Sequence, residues 1–157
     1  KDGKFHFSPS WEDQGFDSNL MPNLPDHLDN IDKTSELFPF KLVTAPAKSF
    51  LNSTFTETFS ALKIESRPEI LIHSEVASKL LVKDGDIVFI GNDKGKIRIH
   101  LKIFDGLNKN VVVVESLWPN KYFIDGLGIN TLTSADPVPP NGGAPFHDTA
   151  IWIKRID

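Results

Sequence analysis

Apolar and polar residues alternate strictly over residues 96–103. Ile97, Ile99, Leu101 and Ile103 fall on one side, and Lys96, Arg98, His100 and Lys102 on the other. Period-two patterning of this kind predicts a strand with one buried and one wet face. Just upstream, Ile87, Val88, Phe89 and Ile90 form an apolar run, and Asn92, Asp93, Lys94 and Gly95 form a polar turn that ends in glycine. The two segments predict a β-hairpin, entered through another turn at Asp84, Gly85 and Asp86. No helical pattern of comparable strength stands elsewhere, so the hairpin is the expected centre of a β domain.

The remaining pattern predicts four more strands: residues 40–44 (FKLVT), 68–73 (PEILIH), 111–115 (VVVVE) and 149–155 (TAIWIKR). Ser74 is placed to cap a short helix over 75–81, with Val76, Ala77, Leu80 and Leu81 on one side. Residues 54–60 suit either a short helix or a loose turn. Long loops rich in Gly, Pro, Ser and Asn separate these elements. Six strands with one or two short helices imply a small closed barrel, since closure removes exposed edges. A helix between two strands favours an interlocked barrel over a simple meander.

Composition changes this picture at the N-terminus. Residues 1–38 carry eight acidic and three basic side chains, against thirteen and fourteen in the rest. They also hold Pro9, Pro22 and Pro25 and little periodic apolar sequence. The expectation is an extended arm over 1–38 and a barrel domain over 39–157. Within the arm, residues 4–7 suit a short strand, and Trp11, Phe16 and Leu20 suit anchors on a partner surface; a linker without fixed structure is the alternative. The chain begins at Lys1, with neither a Met nor an apolar leader, so a fragment of a longer protein is expected. The absence of cysteine excludes disulfides, thiolate metal sites and cysteine catalysis within these 157 residues. A cytoplasmic origin is favoured on the same ground. The net charge of −4 argues against a nucleic-acid or membrane-surface partner. No apolar run approaches the roughly 18 residues of a membrane-spanning helix.

Candidate chemistry lies in the loops. The segment Ala45, Pro46, Ala47, Lys48, Ser49, Phe50, Leu51, Asn52, Ser53, Thr54 leaves a strand directly. Its backbone N–H groups and its Ser, Thr and Asn side chains are able to hold an anion or a heterocycle; an ordinary polar loop is the alternative. Asn130, before Thr131, Leu132 and Thr133, offers a donor and an acceptor to a heterocycle edge, or serves as a turn residue. His147 stands beside Asp148, after Gly142, Gly143 and Phe146. Adjacent residues seldom face one another and no serine nucleophile accompanies them, so a structural or ligand-contacting histidine is expected rather than a triad. His6, His27, His73 and His100 show no metal-ligand spacing. The basic stripe from Lys94 to Lys102 reads as a solvated strand face. No phosphate-binding glycine fingerprint is present.

The order of these segments resembles a known family. A strand running into Thr44, Ala45, Pro46 and Ala47 precedes Phe50, Leu51, Asn52, Ser53, Thr54 and Phe55. Arg67, Pro68 and Glu69 then lead to Ile72, His73, Ser74, Glu75, Val76 and Ala77. Val82, Lys83, Asp84, Gly85, Asp86, Ile87 and Val88 follow, then the turn at Asn92, Asp93, Lys94 and Gly95, then Asn130, Thr131, Leu132 and Thr133, and finally Phe146, His147 and Asp148. Together with Gly3 and Lys4 in the arm, this order resembles the C-terminal molybdopterin-guanine-dinucleotide-binding domain of the dimethyl sulfoxide reductase family. The resemblance covers nearly the whole chain. It implies a six-stranded double-psi β-barrel that buries and orients a bis(molybdopterin guanine dinucleotide) cofactor carrying molybdenum or tungsten. It implies that the cofactor is bound together with preceding domains of the same enzyme, which supply the metal ligand, and that an electron-transfer subunit is a further partner. The isolated domain is then expected to be inactive.

Carried over by position, the resemblance implies cofactor contacts from Thr44, Ala45, Pro46, Ala47, Asn52, Ser53, Thr54, Asn130 and His147, with no catalytic residue and no metal ligand in this chain. Two positions depart from the family. Lys48, Ser49, Phe50, Leu51 and Asn52 replace a His- and Gly-rich first loop, and His147 replaces a Lys found in some branches. Two rival readings stand beside this one: a small subunit of a formylmethanofuran dehydrogenase-like complex, and a cofactor-free interaction or recognition barrel. The last predicts that loops 45–54 and 130–148 do not converge.

Overall fold

The computed structural model describes residues 2–8, 10–19, 21–24, 32–136, 138, 143, 147 and 149–156. Six strands form a closed barrel: β1 (Phe40–Ala45), β2 (Glu69–Ile72), β3 (Ile87–Gly91), β4 (Lys96–Ile103), β5 (Val111–Glu115) and β6 (Thr149–Arg155). Around the barrel their order is β1-β5-β2-β4-β3-β6. β1 pairs parallel with β5, and β2 parallel with β4; the other neighbours are antiparallel. This is the double-psi β-barrel. Advancing every strand number by three leaves the neighbour list unchanged, so the barrel carries a pseudo-twofold relation between β1–β3 and β4–β6. The second strand of each half lies beside the first strand of the other. Neither half closes without its counterpart.

The hairpin forms as its pattern dictates. β3 and β4 run in register from Ile87 opposite His100 to Gly91 opposite Lys96. Asn92 N–H donates to Gly95 O at 2.9 Å, and the Asn92 Oδ1 accepts from Lys94 N and Gly95 N. The entry turn places Gly85 at φ +85°, a conformation without Cβ penalty only for glycine. Ile97, Ile99 and Leu101 point into the barrel with Leu42, Ile70, Ile72, Val88, Ile90, Val112, Val114 and Ile151, all essentially inaccessible. Each such side chain contributes roughly 1.5–3 kcal/mol relative to exposure. The four valines of β5 alternate: Val112 and Val114 are buried, while Val111 and Val113 are half-buried.

Two short helices, α1 (Phe59–Glu65) and α2 (Ser74–Leu80), flank the barrel. The expected helix cap shifts by one residue. His73, not Ser74, is the N-cap: its Nδ1 accepts from Glu75 N at 3.1 Å, and the Asp105 carboxylate accepts from Ser74 N at 2.9 Å. Ser74 thus opens the first turn instead of capping it. Leu81 does not share the buried side with Val76 and Ala77. It ends the helix in the left-handed conformation and is 74% exposed.

The arm is not extended throughout. Glu12–Gln14 forms a 3-10 turn, and Trp11 packs edge-to-face on Phe16 at 6.1 Å. Residues 4–7 form no strand: Phe5 and Phe7 stack on each other at 4.8 Å and stay about four-fifths exposed. A strand there lacks a free barrel edge to pair with, because closure has used them all. Leu20, Pro9, Pro25 and His27 lie outside the described residues. Asp32 ties the arm to the barrel through Lys94 at 3.4 Å and through the Lys41 ammonium. Among the described residues no helix is long and apolar enough to cross a membrane.

Candidate functional site

The strand directions decide which loops meet. Because β1 and β5 are parallel, their C-terminal ends leave the barrel side by side, with Ala45 opposite Glu115. β6 is antiparallel to β1, so its N-terminal end arrives at the same place. Beyond the pairing of Leu42 with Thr149, Thr44 Oγ1 and His147 Nδ1 lie 3.3 Å apart. The β3–β4 turn also emerges at this end. It holds a second loop in place: Asn92 Nδ2 donates to Leu132 O at 2.8 Å, and Gly95 packs against Thr131. That contact fixes the 3-10 turn Ile129–Leu132, which carries Asn130.

These loops enclose a cavity of about 330 Å³ lined by Thr44, Ala45, Pro46, Asn52, Ser116, Leu117, Asn130, Thr133 and His147. Six of the nine residues expected to contact a cofactor therefore converge: Thr44, Ala45, Pro46, Asn52, Asn130 and His147. The other three lie elsewhere on the same loop. Ala47 is buried in the core. Ser53 and Thr54 are exposed, and Thr54 exchanges two backbone hydrogen bonds with Leu51, closing a tight turn with Asn52 at its corner. Asn52 takes φ +51° there. Gly142, Phe146 and Asp148 lie outside the described residues.

Ser116, Leu117 and Thr133 complete the lining and were not among the expected residues. Ser116 and Leu117 follow an apolar strand with no turn signature of their own. Only the parallel pairing of β1 with β5, residues far apart in sequence, brings them to the site. Thr133 was visible as a neighbour of Asn130; its hydroxyl donates to Asn130 O at 3.1 Å.

The walls are braced from outside. Phe50, Trp118 and Tyr122 form edge-to-face contacts at 4.7 and 5.4 Å, locking loop 46–58 to the segment after β5. Tyr122 Oη donates to Thr56 O at 3.3 Å. Arg98 grips Asp125 with Nε 2.8 and 3.1 Å from the two carboxylate oxygens. Hydrogen bonding from Arg98 holds the Asp125 carboxyl below the usual carboxylate range.

Chemically the cavity combines an apolar lining with a few polar side chains and carries no formal negative charge. No lining residue is acidic, and His147 is the one titratable side chain among those named. The Asn52 and Asn130 carboxamides make no hydrogen bond to another described residue, so each presents a donor and an acceptor. Pro46 and Leu117 add an apolar edge. Among the described residues no cluster of three or more His, Cys, Asp or Glu is placed to hold a metal. The arrangement is suited to binding a polar, planar or anionic group.

Comparison with known proteins gives a consistent result. The family model for the molydopterin dinucleotide binding domain matches residues 40–150. Over 150 residues the chain is 29% identical to the probable oxidoreductase YoaE of Bacillus subtilis, covering 96% of this chain and 21% of that protein. It is 30% identical over 129 residues to the dimethyl sulfoxide reductase DmsA of Escherichia coli, covering 80% and 16% respectively. Among solved structures, acetylene hydratase from Pelobacter acetylenicus matches with a TM-score of 0.71 at 16% identity, over 93% of this chain and 22% of that one. The last is a likeness of fold. The chain spans about a fifth of the length of the curated relatives it matches.

Proposed function

This chain belongs to the molybdopterin dinucleotide binding domain family, and we propose that its open barrel end receives part of a bis(molybdopterin guanine dinucleotide) cofactor. The convergence of Asn52, Asn130 and His147 on one cavity carries this reading. The reading as a cofactor-free barrel predicts that those residues lie apart. In this reading residues 39–157 are the cofactor-binding domain of a molybdenum or tungsten oxidoreductase of the dimethyl sulfoxide reductase type. Residues 1–38 lead in from preceding domains of the same polypeptide, which complete the pocket and supply the metal ligand.

The residues present fit such a group. A pterin or guanine edge alternates donors and acceptors, which the two carboxamides match. A phosphate meets no carboxylate among the lining residues. When bound, the cofactor supplies the metal and the redox chemistry, as cofactors do. The residues of this chain bind and orient. Asn52 and Asn130 set the plane of the heterocycle from two loops. Thr44, braced by His147, and Thr133 offer hydroxyls. Pro46 and Leu117 keep water from one edge. In this reading the catalytic residues belong to the preceding domains, and an electron-transfer subunit is a further partner of the whole enzyme.

The test is made on the full-length protein. Metal analysis should find molybdenum or tungsten, and acid release should yield a guanine nucleotide. Asn52→Ala and Asn130→Ala should each weaken cofactor retention by roughly threefold to tenfold, the worth of one neutral hydrogen bond. A parent protein that holds neither metal, or variants that retain the cofactor as the wild type does, would overturn the reading.

A further inference from the structure

We infer that Ser116 is the positioning residue of the cavity, holding Asn52 in place for the ligand through a backbone carbonyl; this rests on the cofactor-binding reading above. Ser116 directly follows β5 and is 4% exposed. Both of its polar donors cross to the neighbouring segment. Its N–H donates to Ala45 O at 2.7 Å, adding one bond to the β1–β5 ladder. Its Oγ donates to Asn52 O at 3.1 Å. One buried residue thus fixes both the start of loop 46–58 and the corner of its tight turn.

The backbone strengthens the argument. Ser116 lies at φ +69° and Asn52 at φ +51°, two non-glycine residues in the left-handed region, joined by a hydrogen bond. Glycine adopts this conformation without a Cβ penalty and is the default where only the turn matters. A serine gives up that ease and supplies a hydroxyl, and the hydroxyl is used. Strained residues of this kind persist where the surroundings over-determine them, most often beside ligands. Because the bond is made by the Asn52 carbonyl, the Asn52 carboxamide stays available to the cavity. Ser116 therefore acts on the ligand through Asn52.

Three variants of the full-length protein test this. Ser116→Gly keeps the left-handed turn and removes the hydroxyl. Ser116→Ala removes the hydroxyl and keeps the Cβ. The third is the double variant Ser116→Gly with Asn52→Ala. Ser116→Gly should fold with an unchanged or raised unfolding midpoint, yet lose cofactor roughly threefold to tenfold faster on dilution. In the cofactor-free protein, its backbone amides at 51–54 should exchange with solvent faster by a similar factor. Ser116→Ala should match it in retention and have the lower unfolding midpoint. The double variant should retain cofactor no worse than Asn52→Ala alone, since a residue acting through Asn52 is not additive with it. If Asn52→Ala lowers retention while Ser116→Gly leaves retention and exchange at wild-type levels, the positioning role is wrong and the cofactor reading stands. Additive losses in the double variant also overturn it. If Asn52→Ala leaves retention unchanged, both the Asn52 contact and this inference fall.

Discussion

One methyl group decides whether the Asn130 segment can sit on the hairpin. A Cβ on Gly95 would lie 2.8 Å from Thr131 Cγ2 and 3.1 Å from Thr131 O. Neither position relaxes cheaply, because Thr131 belongs to the 3-10 turn that carries Asn130. Gly95→Ala should cost about 1–3 kcal/mol of stability, read as a lowered urea midpoint, and should displace Asn130 from the cavity. Asn92→Ala removes two acceptor contacts in the turn and the bond to Leu132 O. It should cost about 1–2 kcal/mol while leaving the strands paired, which amide exchange along β3 and β4 would check. At this scale the sequence was partly legible. Gly95 and Asn52 stand out by type and neighbourhood. Ser116 does not, because its role arises from a parallel pairing that no local pattern announces.

At the scale of elements, strands were easier to read than their ends. Period-two alternation or a short apolar run found all six, since burial of one or both faces leaves a direct imprint on sequence. The helix cap was misread because Ser74 is the usual type for an N-cap, while His73 supplies the same acceptor from an imidazole nitrogen. The loop after β5 could not be placed at all without its partners. Arg98 is one of them, and its pair with Asp125 yields a pH prediction. Asp125 is held below the usual carboxylate range chiefly by its hydrogen bond from Arg98. A lowered native pKa contributes stability above the unfolded value of about 3.9, and that contribution is lost as pH falls through the native value. Wild type should therefore exceed Asp125→Asn in stability at neutral pH, and the gap should close on acidification below about pH 4. Chemical denaturation at stepped pH measures it; a gap that widens in acid would contradict the assignment. Three of the five side chains in the stripe from Lys94 to Lys102 also find partners. Lys94 pairs with Asp93 and Asp32, Arg98 with Asp125, and Lys96 lies 5.2 Å over the Phe89 ring.

The whole molecule is one interlocked core. Leu101 is fully inaccessible and lies on β4, between β2 and β3 in a ring that has no edge. Leu101→Ala should cost about 2–5 kcal/mol. In urea, Trp fluorescence and far-UV circular dichroism should report the same shifted transition, because neither half of the barrel persists alone. The closed six-stranded architecture was legible from strand count, the intervening helix and the resemblance in motif order. The strand order around the ring was not, since pairing between distant strands leaves no periodic trace.

The pseudo-twofold barrel has two ends, and they have met different fates. At one, α2 folds over the C-terminal ends of β2 and β4, with Asp105 supplying the carboxylate that its first turn needs. At the other, the corresponding ends of β1 and β5 open into the cavity. The walls of that opening come from residues 44–52, 116–117, 130–133 and 147. A chain growing from its N-terminus has three of its six strands in hand by Gly91, yet no binding end. The last wall arrives with His147, on the approach to β6. In the proposed function, ligand capture is thus a late step in the folding of this domain. It waits for β5 to slot between β1 and β2 and for β6 to close the ring, so only a finished barrel is competent to load.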